Sequence, residues 1–121
     1  MTPVENSSDL LSQQELLNRV AGDTQLLAEM IRLFQSEYLQ WLNDVRLAVQ
    51  GNDAPRLAAA AHTLKGAVSN FSLGLAYQLS LSLEGMGKQR DLTGAPATLS
   101  KLEAALQQVS NALNRLLEET A

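Results

Sequence analysis

The sequence predicts an all-α domain: an antiparallel up-down four-helix bundle with a short N-terminal lead-in helix. Three observations carry this prediction. Leucine (24) and alanine (16), both strong helix formers, far outnumber Val, Ile and Thr together (13), which opposes a β fold. Apolar residues recur at steps of three and four in four separate stretches. The stretches are joined by short connections rich in Gly, Pro and Asp, which makes successive helices antiparallel neighbours. At 121 residues, with 45% hydrophobic and 18% charged residues, the chain has the size and balance of one domain.

Residues 1–8 are polar, contain Pro3 and lack periodicity, and read as a tail or linker remnant, which leaves 9–119 as the domain. Leu10-Leu11, followed by Leu16-Leu17 and Val20, suggests a small helix closed by Gly22, with Asp23 or Thr24 as the next N-cap. The first long stripe is Leu27, Met30, Phe34, Tyr38, Trp41, Val45 and Ala48, and Gly51 stops it. Asp53 can cap the next helix, with Pro55 in its first turn, where a missing N–H is harmless. Leu57, Ala61, Leu64, Val68 and Phe71 form that helix's stripe. After Ser72-Leu73-Gly74, a third stripe of Leu75, Leu79, Leu83 and Met86 runs to a break expected at Gly85/Gly87. The fourth follows Pro96: Leu99, Leu102, Leu106, Val109, Leu113 and Leu116.

Composition excludes several function classes. With no Cys, the chain has neither disulfides nor thiol nucleophiles nor Cys-based metal sites. A formal charge of −4, with nine scattered Lys and Arg, argues against a nucleic-acid partner. The longest apolar run, Leu57 to Ala61, is far short of the roughly 20 residues that cross a bilayer, so no direct membrane contact is expected. The N-terminus lacks the basic and apolar regions of a secretory signal, which points to the cytoplasm.

One histidine is present, His62, within Ala58-Ala59-Ala60-Ala61-His62-Thr63-Leu64-Lys65-Gly66-Ala67-Val68-Ser69-Asn70-Phe71. At about 100° per residue, its side chain projects roughly 140° from the apolar stripe and therefore faces solvent. Its face is shared by Pro55, Ala58, Ala59, Lys65, Gly66 and Ser69, all small except Lys65. A lone helical histidine is usually an ordinary surface or core residue. Here Gly66 stands one turn away in mid-helix, at about 1 kcal/mol relative to alanine, and small residues clear room for another macromolecule to reach the ring. Neutral imidazole, which titrates at about 6.5 in water, is nucleophilic and can accept a phosphoryl group. Lys65, otherwise a solvated surface lysine, is spaced to offset the charge that such a transfer gathers.

The segment His62-Thr63-Leu64-Lys65-Gly66, preceded by alanines and followed by Ala67 to Phe71, resembles the phosphorylation motif of histidine phosphotransfer (HPt) domains. Leu17 to Asp23, followed by Leu26-Leu27 and Leu33-Phe34, looks like the opening of HPt modules attached to bacterial hybrid sensor kinases. Leu79 and Leu83-Glu84 match the helix after the histidine, so the similarity runs from Leu10 to Leu117. The resemblance implies a phosphorelay intermediate of two-component signalling. His62 would take a phosphoryl group from an aspartyl phosphate on one receiver domain and pass it to an aspartate on another. Lys65 would balance charge and Gly66 would be the gap that admits the partner, with Ala58, Ala59, Ser69, Glu84 and Lys88 completing the docking surface. Magnesium would belong to the receiver, leaving this chain a carrier with no cofactor, metal or ATP site of its own. It departs from the family at Ser72, where a glycine is usual ten residues after the histidine. A hairpin turning at Leu73 sets Glu84 opposite His62 and Lys88 about one turn beyond. Glu84 could hold Nδ1–H where the family commonly has glutamine, though its charge would oppose the phosphorylated state, or it is a solvated glutamate near a helix end.

An enzyme reading lacks a second His, a Cys, a phosphate loop or paired carboxylates near His62. A metal site lacks a carboxylate at i+3 or i+4, where Lys65 and Gly66 stand. The rivals are a non-catalytic helical adaptor with His62 incidental, and the phosphoacceptor domain of a chemotaxis-type histidine kinase, which would need further domains beyond Ala121. Each apolar stripe is consumed by the bundle, so a monomer is expected, with Trp41 or Leu81 as a leftover patch for dimerisation.

Overall fold

The structure is a computed structural model and describes residues 10–120; the expected tail at 1–8 lies outside the described residues. Among the described residues five helices make up the fold: α1 (Gln13–Arg19), α2 (Thr24–Gln50), α3 (Ala54–Ser69), α4 (Leu75–Gln89) and α5 (Ala95–Thr120). Around the bundle α2 packs on α3, α3 on α4, α4 on α5 and α5 back on α2, with α1 laid against α2. The all-α, antiparallel up-down four-helix bundle with a lead-in helix is therefore the architecture found.

The helix starts follow from capping chemistry. Ser12 and Glu15 form a reciprocal capping box at α1. Asp23 accepts from Leu26 N at 3.0 Å and Asp53 from Arg56 N at 3.1 Å, so each carboxylate serves an N–H that the helix cannot. Between α1 and α2, Ala21 (φ 55°) and Gly22 (φ 79°) turn the chain through the left-handed region. Leu10 and Leu11 are not helical: Leu10 bridges Ser72 and Leu11 N donates to Phe71 O at 2.8 Å. That pairing has a geometric cause. At 1.5 Å per residue α2 and α5 run about 40 Å, while α3 and α4 are little more than half as long. Phe71 ends α3 against Phe34, ring centroids 5.5 Å apart, so the first turns of α2 extend past the α3–α4 hairpin. The lead-in covers this overhang, burying Leu16 and Val20.

The stripes expected in α3 and α5 are all buried, Phe71 just beyond the end of α3 included. In α2, Ile31 and Leu42 are buried where Met30 and Trp41 were expected; those two lie half-buried on the flank. At these two places neighbouring apolar residues compete for the core, and the second of each pair lies nearer the core-facing line, which otherwise runs as expected through Leu27, Phe34, Tyr38, Val45 and Ala48. In α4 the expected stripe holds only at Leu83, and at its other three positions the buried residue is the next one along. Its buried positions are Ala76, Ser80, Leu83, Glu84 and Gly87, while Leu75 is half exposed and Leu79 and Met86 sit on the flanks. Nor do Gly85 and Gly87 break the helix, which continues to Gln89 and is ended by Arg90 in the left-handed region (φ 58°).

Ser72 is fully buried, and its hydroxyl accepts from Gly74 N at 3.0 Å. It is not among the positive-φ residues, so the turn has no need of glycine at this position. Between α2 and α5, Gln35 donates to Ser110 O and Asn114 Oδ1 and accepts from Ser110 Oγ, and Arg46 pairs with Glu103. Residue numbers rise along one helix as they fall along the other, which is the antiparallel register.

Candidate functional site

The two short helices build the site. A Cβ placed on Gly87 would stand 2.6 Å from Ala58 N and 2.8 Å from Ala54 O, so α3 and α4 meet backbone to backbone. At this close approach, residues one turn along α4 reach residues one turn along α3. Glu84 comes under His62, as the hairpin register predicts.

His62 stands outward with 67% of its side chain exposed. Its Nδ1 lies 2.9 Å from Glu84 Oε2. Glu84 itself is only 4% exposed, so it supports the imidazole from within the bundle and presents no surface to a partner; neither the solvated glutamate nor a docking contact describes it. Lys65 Nζ meets the other oxygen, Oε1, at 2.7 Å, and Lys88 Nζ reaches Oε2 at 3.1 Å from one turn along α4. One buried carboxylate thus takes two ammonium groups and an imidazole from two helices. Burial pushes the Glu84 carboxyl up, but Lys65, Lys88 and His62 together outweigh it and hold it at about 2. The same contact holds the Lys65 ammonium above the usual lysine range, against the desolvation that would lower it. Lys65, 20% exposed, is committed to Glu84, whereas Lys88 is 68% exposed.

Around the ring the structure is open. Nothing stands within 4 Å of a Cβ built on Gly66. Ala59 is exposed and Ala58 half-buried against α4. The Ser69 hydroxyl turns back to donate to Gly66 O at 2.7 Å, and Thr63 does the same to Ala59 O. The shallow apolar pocket of Met30, Leu33, Phe34, Trp41, Ala67, Asn70 and Phe71 lies on the α2 side of this helix face. Among the described residues no three of His, Cys, Asp and Glu gather to hold a metal ion, and no helix is long and apolar enough to cross a membrane. Gly87, expected from the sequence only as a helix break, is instead the residue of closest contact between the two helices, a role that no local sequence pattern marks.

The ionised Glu84 has a consequence for stability. Its carboxyl sits at about 2 in the fold against an ordinary 4.5, so the associated stability is fully present above about pH 4.5 and is lost as pH falls towards 2. The interval corresponds to roughly 3 kcal/mol. A pH of 3 is still about one unit above the folded value, so urea unfolding at pH 6 and pH 3 should show a loss of roughly 2 kcal/mol, and Glu84→Gln should remove most of it. An equal acid loss in both proteins would mean that Glu84 is not held as described.

Fold and site together define a class: an antiparallel four-helix bundle that presents one solvent-facing histidine, braced from below, on its short hairpin. The chain belongs to the Hpt domain family, whose model matches residues 29–112. It functions in histidine phosphotransfer within two-component phosphorelays. Two solved structures share the fold. Histidine-containing phosphotransfer protein B from Pseudomonas aeruginosa is 22% identical with a TM-score of 0.82, covering 90% of this chain and 95% of that one. The HPT domain of a sensor hybrid histidine kinase from Shewanella is 17% identical with a TM-score of 0.76, covering 94% and 96%. A search of curated proteins finds no significant match.

Proposed function

We propose that His62 is the group that carries the phosphoryl cargo, accepting it at Nε2 from the aspartyl phosphate of one receiver domain and yielding it to an aspartate of another. The supporting observation is the split between the two ring nitrogens. Nδ1 is engaged with Glu84 at 2.9 Å, and an ionised carboxylate can only accept, so the proton lies on Nδ1 and the lone pair of Nε2 is free. The Nε2 lone pair forms the N–P bond as the P–O bond to the aspartyl carboxylate breaks, and that carboxylate leaves with the electron pair. Lys65 and Lys88 offset the charge brought in.

The chain acts as a carrier, with receiver domains of response regulators or hybrid sensor kinases as partners. Ala59, Gly66, Ser69 and Lys88 form the approach surface around the ring. Residues 9–119 form the working unit, a monomer in the cytoplasm.

A receiver domain phosphorylated with acetyl phosphate and Mg²⁺ tests the reading. The protein should acquire acid-labile, base-stable phosphate, and an absence of such label would overturn the assignment. Gly66→Phe should slow labelling at least about tenfold. A side chain there meets open space, so the thermal midpoint should not fall. An unchanged rate, or a parallel loss of folding, would show that the clearing around His62 does not serve approach.

A further inference from the structure

The carboxylate under His62 has a role left over once the incoming transfer is explained. A neutral amide at position 84 could also hold the ring by accepting from Nδ1–H, although its N–H₂ can donate to the other tautomer as well. What the glutamate adds is charge, and charge matters after transfer. When Nε2 has taken the phosphoryl group, the ring holds both the N–P bond and the Nδ1–H and is a cation. In onward transfer a receiver carboxylate oxygen forms the new P–O bond, the N–P bond breaks, and its electron pair returns to Nε2. With Nδ1 still protonated the leaving group is neutral imidazole. Once Nδ1 has lost its proton, the leaving group would be imidazolate, a far stronger base and a far poorer leaving group.

We propose that Glu84 acts on the phosphorylated state: its carboxylate, 2.9 Å from Nδ1, keeps the proton on the ring, so that His62 remains a competent donor at alkaline pH. The inference rests on the reading of His62 as acceptor. Its geometric support is the buried cluster. The titratable groups that face Glu84 are His62 and Lys65 from α3 and Lys88 from α4, with Tyr77 of α4 beside Lys65. α5, the other helix packed on α4, contributes no ion pair to it among the described residues. Lys65 occupies Oε1, which leaves Oε2 shared between the ring and Lys88. Two ammonium groups exceed the single negative charge of Glu84, so the repulsion of a phosphoryl group that the sequence led one to expect is offset. Glu84 also stays ionised throughout the range in which phosphorelays work.

The test compares the full chain with Glu84→Gln and Lys88→Met, each phosphorylated from a receiver domain loaded with acetyl phosphate. Nitrogen-15 NMR follows Nδ1 of the phosphorylated ring from pH 6 to 10, and onward transfer to a second receiver is timed at pH 6 and pH 9. In Glu84→Gln the loss of the Nδ1 proton should move down by about one pH unit or more. Onward transfer should then agree with the parent within about twofold at pH 6 and fall about tenfold at pH 9. In Lys88→Met, where the ring no longer shares Oε2, the proton loss should move up; Lys88 is largely exposed, so this variant folds even if the first does not. Identical titrations in parent and Glu84→Gln, or a downward or absent shift in Lys88→Met, would overturn the proposal. Failure of the parent to take label would instead overturn the assignment of His62, and this inference with it.

Discussion

Replacing His62 with glutamine is expected to abolish phosphoryl labelling altogether while leaving the fold in place. The loss should be complete because no other nucleophile of the required kind exists: the chain has one histidine and no cysteine. Folding should be spared for a local reason. The side chain is two-thirds exposed and contributes nothing to the core, and glutamine is a good helix former. Its amide N–H₂ can also take over the bond to the buried Glu84 carboxylate, so no charge is left unpaired. Stability should therefore change by no more than about 0.5 kcal/mol. Label from a phosphorylated receiver, read beside a urea unfolding curve, checks both halves. Residual acid-labile label in the variant would place the acceptor elsewhere; loss of the helical signal would mean that the ring supports the bundle.

Why so much of this site was legible in the sequence, and part of it was not, comes down to which residues buried surfaces prefer. α3 and α5 are amphipathic in the ordinary way, with large apolar side chains on the core face, and spacing alone places His62 outward. α4 inverts that rule. Its core face must come within backbone contact of α3, so apart from Leu83 it is built from the small Ala76, Ser80 and Gly87, and its other large residues, Leu75, Leu79 and Met86, are displaced to the flanks or to solvent. A search for large apolar residues therefore finds Leu83 alone of that face. Glu84 is hidden for a related reason. Carboxylates are seldom buried, and the partners that make it tolerable here, Lys65 and His62, lie on a different helix more than a turn of chain away. Hairpin register brought Glu84 level with His62, but its burial depends on side chains whose meeting only the three-dimensional packing reveals. The same applies to Leu10 and Ser72, whose pairing answers a mismatch in helix lengths that no local pattern encodes.

The glycines of this hairpin should respond to one substitution with opposite signs. Gly85→Ala is expected to stabilise the protein by up to about 1 kcal/mol, since its Cβ would meet nothing within 4 Å and alanine is the better helix former. Gly87→Ala gains the same propensity, yet its Cβ would lie 2.6 Å from Ala58 N, 2.8 Å from Ala54 O and 2.9 Å from Ala58 Cα. These are backbone atoms of a neighbouring helix, which no side-chain rotation can clear, so α3 and α4 must separate. Overpacking of a core by a single methylene typically costs about 1–3 kcal/mol, and a backbone clash belongs at the upper end of that range. The clash therefore outweighs the propensity gain, and the net effect should be a loss of roughly 2 kcal/mol. Function should suffer beyond that loss, because separating the helices also draws Glu84 away from His62 Nδ1. Denaturant midpoints for the two variants, with the rate of labelling measured well below each midpoint, test the account. If Gly87→Ala were as stable as Gly85→Ala, the close contact of the two helices could not be what brings the carboxylate beneath the imidazole.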